Sequence, residues 1–190
     1  AEDSVIFSPN GEWLAVASGS NSVNLWNIER KELINFEGHG NTVVSTSFSP
    51  DSQTLASADI NGKIKLWNIE GRKSETVQAY NSVFSPDGQI MAAISNKDGK
   101  TVQIFKIDGS AINNLRNHQD VDIITALNIS PDGKTLVYAN INGTITKINL
   151  QDGRLLATLK NSNQVISLTF SPDSKLLVSN SNDHTIKIWN

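Results

Sequence analysis

The chain is patterned as strands. Apolar and polar residues alternate over short runs rich in β-branched side chains: Ile64 and Leu66 alternate with Lys63 and Lys65, and Ile186 and Ile188 alternate with Thr185 and Lys187. A period of two puts one set of side chains on each face of a strand, and runs this short hold no helix of useful length. Further apolar runs cover Val43 to Phe48, Leu55 to Ser57, Val165 to Phe170 and Leu176 to Ser179, with a linking run around Ile34 and from Leu156 to Leu159. Their recurrence predicts four strands per repeating unit.

The turns between them share one motif. All five prolines, Pro9, Pro50, Pro86, Pro131 and Pro172, follow a serine and precede Asn or Asp and then Gly or Ser. Proline presets φ for a type I turn, the Ser and Asp side chains bond nearby backbone, and glycine suits the exit, so five hairpins are predicted. Successive prolines stand 41, 36, 45 and 41 residues apart, and a landmark residue follows each one: Trp26, Trp67, Phe105, Ile148 and Trp189. The landmark comes 17 residues after the proline in four repeats and two residues later in the third, which predicts a longer middle loop there. A period near 40 with four strands per unit is the pattern of propeller blades. The expected fold class is therefore all-β, a β-propeller of four-stranded antiparallel blades, with five repeats over residues 1–27, 28–68, 69–106, 107–149 and 150–190.

These residues resemble the WD-repeat family over essentially the whole chain, and the second and fifth repeats match best. Gly38 and His39 resemble its glycine-histidine pair, Ser49, Pro50 and Asp51 its first hairpin, and Leu66, Trp67 and Asn68 its terminal tryptophan-aspartate signature with Asn for Asp. The resemblance implies a buried structural network made in the second repeat by His39, Ser57, Asn61 and Trp67. With Asn61 in the aspartate position, the bond to histidine is expected to be neutral and weaker than a charge-assisted one. The fifth repeat offers Ser179, Asp183 and Trp189, with Asn161 at the histidine position, so no blade is expected to hold the full set. With Phe105 and Ile148 as landmarks, the third and fourth blades are expected to rely on apolar packing. The family commonly closes a ring of seven blades, on the order of 290 residues at this period. The repeats are accordingly expected to be part of a larger propeller, with missing blades of the parent chain completing the ring and covering the exposed blade faces.

Composition narrows the function classes. The net charge is −3, from 16 basic and 19 acidic residues interspersed along the chain, which argues against nucleic acid as a partner. There is no cysteine, so disulfides and thiolate chemistry are excluded and a cytoplasmic location is expected. No apolar run approaches the length of a membrane helix, so no membrane partner is expected.

Candidate chemistry is sparse. His39, His118 and His184 invite a catalytic or metal reading, above all His118 with Asp120 and Asp122 in one loop, but the set is thin for zinc, and histidines before an inner strand are what the repeat pattern calls for. No serine sits in a nucleophile elbow and no phosphate loop is present, so no catalytic residue, metal or cofactor is expected and the chain is read as not an enzyme. Asn128 with Ser130 and Asn142 with Thr144 match a glycosylation pattern that arises often by chance. Lys63, Lys65, Arg72 and Lys73 read as a solvated outer face or as a phosphate-contacting patch. Trp13 reads as packed between blades or as an exposed anchor.

The loops before the third strand of each blade, with the starts of the inner strands, would line one rim of the propeller channel by the family's pattern. Ile60 and Ile141 occupy equivalent places there, each followed by Asn and Gly, and either tuck into the blade or stand as apolar anchors. Asn41, Thr42, Asp120, Asp122, Asn163, Gln164 and Asn182 surround them, so this rim is the expected surface for a protein or peptide partner. The function expected is a non-catalytic interaction scaffold or sensor. The alternative is the accessory propeller domain of a multidomain enzyme such as a hydrolase, kinase or NTPase.

Overall fold

A computed structural model of the chain describes residues 4–17, 19–71, 74–95, 97–108, 111–120 and 122–190. The described residues are strands and turns without a helix, and every recorded strand pairing is antiparallel. Two compact units form, one of Ala1–Tyr80 with Ile107–Asn113, the other of Asn81–Lys106 with Asn114–Asn190.

In the first unit, β1 (Ser4–Phe7), β2 (Trp13–Ala17), β3 (Ser22–Asn27) and β4 (Glu32–Glu37) make a four-stranded sheet in chain order. A second sheet follows with β5 (Val43–Phe48), β6 (Thr54–Asp59), β7 (Lys63–Asn68) and the start of β8 (Ser74–Phe84). Each sheet is offset by one strand from the sequence repeat, because the linking run around Ile34 pairs back onto β3. Ile34 and Phe36 from β4 pack with Val43, Phe48, Leu55 and Trp67 of the second sheet, and the rings of Phe36 and Trp67 stack with centroids 4.9 Å apart. Trp13 lies partly buried against the same cluster.

The second unit holds β9 (Ile90–Ser95), most of β10 (Thr101–Asp108) and of β11 (Ala111–Gln119), and then β12 (Ile124–Ile129), β13 (Thr135–Asn140), β14 (Thr144–Asn149) and β15 (Leu155–Lys160) as one sheet. β16 (Val165–Phe170), β17 (Leu177–Ser181) and β18 (Ile186–Trp189) form a three-stranded sheet. The middle strands are buried on both faces: Leu136, Val137, Tyr138, Ala139 and Asn140 of β13 are all inaccessible. Burial pushes the Tyr138 hydroxyl up to about 12.

One grouping departs from four. β5 to β11 are hydrogen-bonded in unbroken order because β8 is eleven residues long. Its first part pairs with β7 as an outer strand, and from Asn81 onward the same strand leads into the turn at Ser85 as an inner strand. The cause lies in the 36-residue spacing between Pro50 and Pro86, which leaves no residues for a loop between those two roles. The two extra residues of the third repeat fall between β9 and β10, where Asp98 Oδ1 accepts the backbone N–H groups of Lys100 and Thr101.

The five Ser-Pro turns share one bonding scheme. In the second, the Ser49 hydroxyl donates to Asp51 Oδ1 at 2.6 Å, Asp51 Oδ1 also accepts the Gln53 N–H, and Ser49 Oγ accepts the Thr54 N–H. Ser8 with Asn10, Ser85 with Asp87, Ser130 with Asp132 and Ser171 with Asp173 do the same. The residue after Asn or Asp has positive φ in every turn, as glycine at 11, 88 and 133 and as serine at Ser52 (60°) and Ser174 (61°). Those two serines take on left-handed strain, and each hydroxyl receives a backbone N–H from the preceding repeat of its own unit: Asn10 N–H on Ser52 Oγ at 3.1 Å, Asp132 N–H on Ser174 Oγ at 3.0 Å.

Gly143 turns the loop between β13 and β14 with φ 76°, and a Cβ there would stand 2.6 Å from the Asn163 carbonyl oxygen and 2.8 Å from that of Asn161. Gly133 shares the backbone conformation, but its Cβ would meet only Pro86 Cδ at 3.6 Å. Urea unfolding is expected to show Gly143→Ala losing about 3 kcal/mol, from clash added to strain, against about 1 kcal/mol for Gly133→Ala.

Candidate functional site

The second repeat carries a buried chain of hydrogen bonds across β6. Trp67 Nε1–H donates to Ser57 Oγ at 2.7 Å, Ser57 Oγ meets His39 Nε2 at 2.7 Å, and His39 Nδ1 meets Asp59 Oδ2 at 3.1 Å. The acidic member is thus Asp59, and the expectation that Asn61 fills that place is corrected. Asp59 ends β6 with its side chain turned inward, whereas Asn61 sits in the loop and donates its backbone N–H to Asp59 Oδ1 at 3.0 Å. Lys63 N–H reaches the same oxygen, so Asp59 both holds the histidine and closes the loop. The second repeat therefore has the full histidine, serine, aspartate and tryptophan set, contrary to the expectation that no blade does.

Neutral His39 satisfies every group in this chain. Its Nδ1–H gives to Asp59 and its Nε2 receives the Ser57 hydroxyl proton, leaving Ser57 Oγ to accept from Trp67; this tautomer is assigned from the network. A proton on Nε2 would make Ser57 Oγ accept from both His39 and Trp67 and would take away the acceptor of the Ser57 hydroxyl proton. Desolvation by burial accordingly holds the His39 pKa below its ordinary 6.5, outweighing the hydrogen bond and charge of Asp59, which pull the other way.

The same positions recur with other chemistry, always 20 residues apart. Asn140 Nδ2 donates to Asp120 Oδ1 at 3.0 Å in the fourth repeat, and Asn161 Nδ2 donates to Ser181 Oγ in the fifth. In the fifth, Trp189 Nε1–H still reaches Ser179 Oγ at 2.9 Å, but Asp183 stands apart from that pair, exposed at the loop tip. Asp183 takes the Thr185 hydroxyl and N–H and the Asn163 amide, and these bonds lower its pKa. Where the serine position holds Val16, Trp26 is 38% exposed; where it holds Ala93 or Tyr138, the landmarks are the buried Phe105 and Ile148.

The rim positions form a second set of cross-loop pairs. In the first unit Ile60 N–H donates to the Thr42 carbonyl at 3.0 Å, with Asn41 and Thr42 half-buried and Ile60 58% exposed. In the second unit Ile141 N–H bonds the Ile123 carbonyl at 2.8 Å, and Asn182 N–H bonds the Gln164 carbonyl. Ile141 is 42% exposed and Ile123, which the sequence reading passed over, 49%. Comparing Thr42, Ile123 and Gln164 at one repeat position is the signal that would have found it. Asn142 Nδ2 donates to Asp122 Oδ2 at 2.8 Å, and Asn163 Nδ2 to Asp183, so the carboxylate changes sides between the fourth and fifth repeats.

His184 has φ 64° at the place of Gly62 and Gly143 and donates its N–H to the Ser181 carbonyl, as a turn residue. Lys65 Nζ lies 5.1 Å from the Trp67 ring centre, over the buried network. Asn128 lies on β12 with its amide bonded to the Leu168 carbonyl. Arg72, Lys73 and the His118 side chain lie outside the described residues. Among the described residues no three His, Asp or Glu side chains converge as metal ligands.

The family described as "WD domain, G-beta repeat" matches residues 3–27, 30–68 and 153–190, more than half of the chain. The chain belongs to the WD-repeat family. Its blades are all-β and antiparallel, consistent with a β-propeller. A further family, "Anaphase-promoting complex subunit 4 WD40 domain", matches residues 82–171, the stretch where the landmarks are Phe105 and Ile148. Among curated proteins it is similar to the COMPASS component SWD3 of Saccharomyces cerevisiae, 31% identical over 105 residues, 55% of this chain and 32% of that protein. It is similar to the LST8 homolog of Dictyostelium discoideum, 37% identical over 73 residues, 35% of this chain and 24% of that protein. WD repeat-containing protein SL1-17 of Schistosoma mansoni is 26% identical over 192 residues, 95% of this chain and 62% of that protein. The WD-repeat chain thus spans less than two thirds of the length of each.

Ser57→Ala strands the His39 Nε2 and the Trp67 N–H and is expected to cost about 3 kcal/mol in urea unfolding, against about 1 kcal/mol for Ser179→Ala, whose hydroxyl among the described residues serves Trp189 alone. In an NMR titration the His39 ring should titrate below 6.5. Because the folded pKa is depressed, the network's full stability is present above pH 6.5 and declines as the pH falls below it, where the unfolded chain takes up the proton first.

Proposed function

We propose that the chain is a non-catalytic scaffold that binds a protein or peptide partner through the loop rim of its blades. The observation that carries this is the exposure of isoleucine at the loop tips, Ile60 in one unit and Ile123 with Ile141 in the other. Each is held by a backbone hydrogen bond across the rim and flanked by Asn or Asp in the chain. Apolar anchors within a polar surround are the anatomy of an interface, and anchors already fixed in place lose little entropy on binding. Membership in the WD-repeat family supports the reading, as does the name of the yeast relative, a component of a complex.

The reading includes further blades of a longer parent chain as partners. In the first sheet Phe7, Leu14, Trp26 and Leu33 sit side by side across all four strands, and Phe7 and Leu33 are 66% and 55% exposed. In the last sheet Ile186 and Ile188 are exposed by about the same amount. Apolar rows of this kind are what a neighbouring blade buries.

Ile60→Asp and Ile141→Asp are expected to leave urea unfolding within about 0.5 kcal/mol of the parent, since both side chains are exposed. Partners captured by the full-length protein and identified by mass spectrometry should be lost from these variants. Equal capture by correctly folded variants would overturn the rim as the binding surface.

A further inference from the structure

The opposite ends of the first unit's strands hold a cavity. β5 starts beside Thr42 at the rim and runs to the turn at Ser49, and on that turn side a cavity of about 330 Å³ opens between the first two repeats. Its floor is apolar, made by half-buried Trp13 with the buried Ile34 and Ile69. Its walls include the two Ser-Pro turns, through Asn10 and Asp51, tied together by the bond from Asn10 N–H to Ser52 Oγ.

Among the described residues the lining is mostly acidic: Glu12, Glu32, Asp51 and Glu70 stand there with the cation Arg30. A second feature points inward. Asn27 is only 5% exposed and lines the cavity, and its Oδ1 is occupied by the Arg30 backbone N–H at 2.8 Å. That bond fixes which end of the amide is which. Nδ2, a double donor, then has no protein partner among the described residues and is left to water or to a ligand in the cavity. A fitting occupant therefore brings positive charge for the carboxylates, an aliphatic segment for the floor and one carbonyl for Asn27.

We propose that this cavity binds an arginine or lysine side chain presented by a peptide segment of a partner protein. The charged head meets the carboxylates and stays partly hydrated, while its methylene stem lies on Trp13 and Ile34. A peptide carbonyl next to that residue accepts the Asn27 amide. The volume suits one long side chain with its adjoining peptide unit. The site is separate from the rim, so the two stand or fall independently.

The probe is the peptide acetyl-Gly-Arg-Gly-amide, titrated into the intact chain and followed by NMR at the Asn27 side-chain amide and the Trp13 indole. Saturable shifts at both groups are expected, with affinity falling several-fold as salt rises from about 0.05 M to about 0.5 M. The Glu12→Gln/Glu70→Gln variant should raise the apparent Kd about tenfold, and acetyl-Gly-Glu-Gly-amide should leave both signals unmoved. Absence of saturation, an equal response to the glutamate peptide, or undiminished affinity in a variant with normal unfolding would overturn the proposal. Should the variant fail to fold, the salt series and the glutamate peptide on the unaltered chain decide it.

Discussion

The constraint on which this structure depends is that the middle strands have no wet face. β13 is buried from Leu136 to Asn140, and β9 from Met91 to Ser95. A strand covered on both sides must find apolar or small partners above and below, so each sheet needs neighbouring sheets. Small residues at Ala56, Ser57, Ala92, Ala93 and Ala139 allow that close approach. Any polar group placed there must be paired inside the protein, which is why Ser57 is tied to both His39 and Trp67.

This pairing is fixed by position more than by residue type. The positions filled by His39 and Asp59 are taken by Asp120 and Asn140, and then by Asn161 and Ser181, with a hydrogen bond kept in each case. A neutral imidazole or amide on a carboxylate and a wholly neutral amide–hydroxyl pair both serve. What the backbone supplies is the alignment of an inner strand's start with the end of its neighbour, and several donor and acceptor combinations fit that gap. The neutral histidine adds rigidity without the cost of a buried imidazolium.

Much of the fold was legible because its punctuation is chemical. Ser-Pro-Asp names its own hydrogen bonds, so the five turns could be read directly, and the alternation of Lys63 to Leu66 gave the strand between Asp59 and Asn68. What escaped depended on register. Asp59 and Asn61 lie two residues apart, and only the end of β6 decides which of them turns inward. The merger of two strands into β8 was implicit in a 36-residue spacing but needed the count of residues required for a loop. Of the rim, Ile60 and Ile141 stood out as apolar residues in polar loops, whereas Ile123, preceding the apolar run of β12, looked like part of it. The cavity beside Trp13 was not legible at all, since its walls come from turns 42 residues apart.

The left-handed serines of the turns bear on how such repeats tolerate being made uniform. Glycine would relax the backbone at Ser52 and Ser174 by roughly 1–2 kcal/mol, yet would delete an acceptor whose bond is worth roughly 0.5–1.5 kcal/mol. The two nearly cancel, so evolution meets almost no gradient at these sites, and glycine and serine can interchange by drift. Cohesion between adjacent blades changes with each exchange, however, so a consensus array rewritten with glycine throughout would keep every hairpin while losing its lateral stitching.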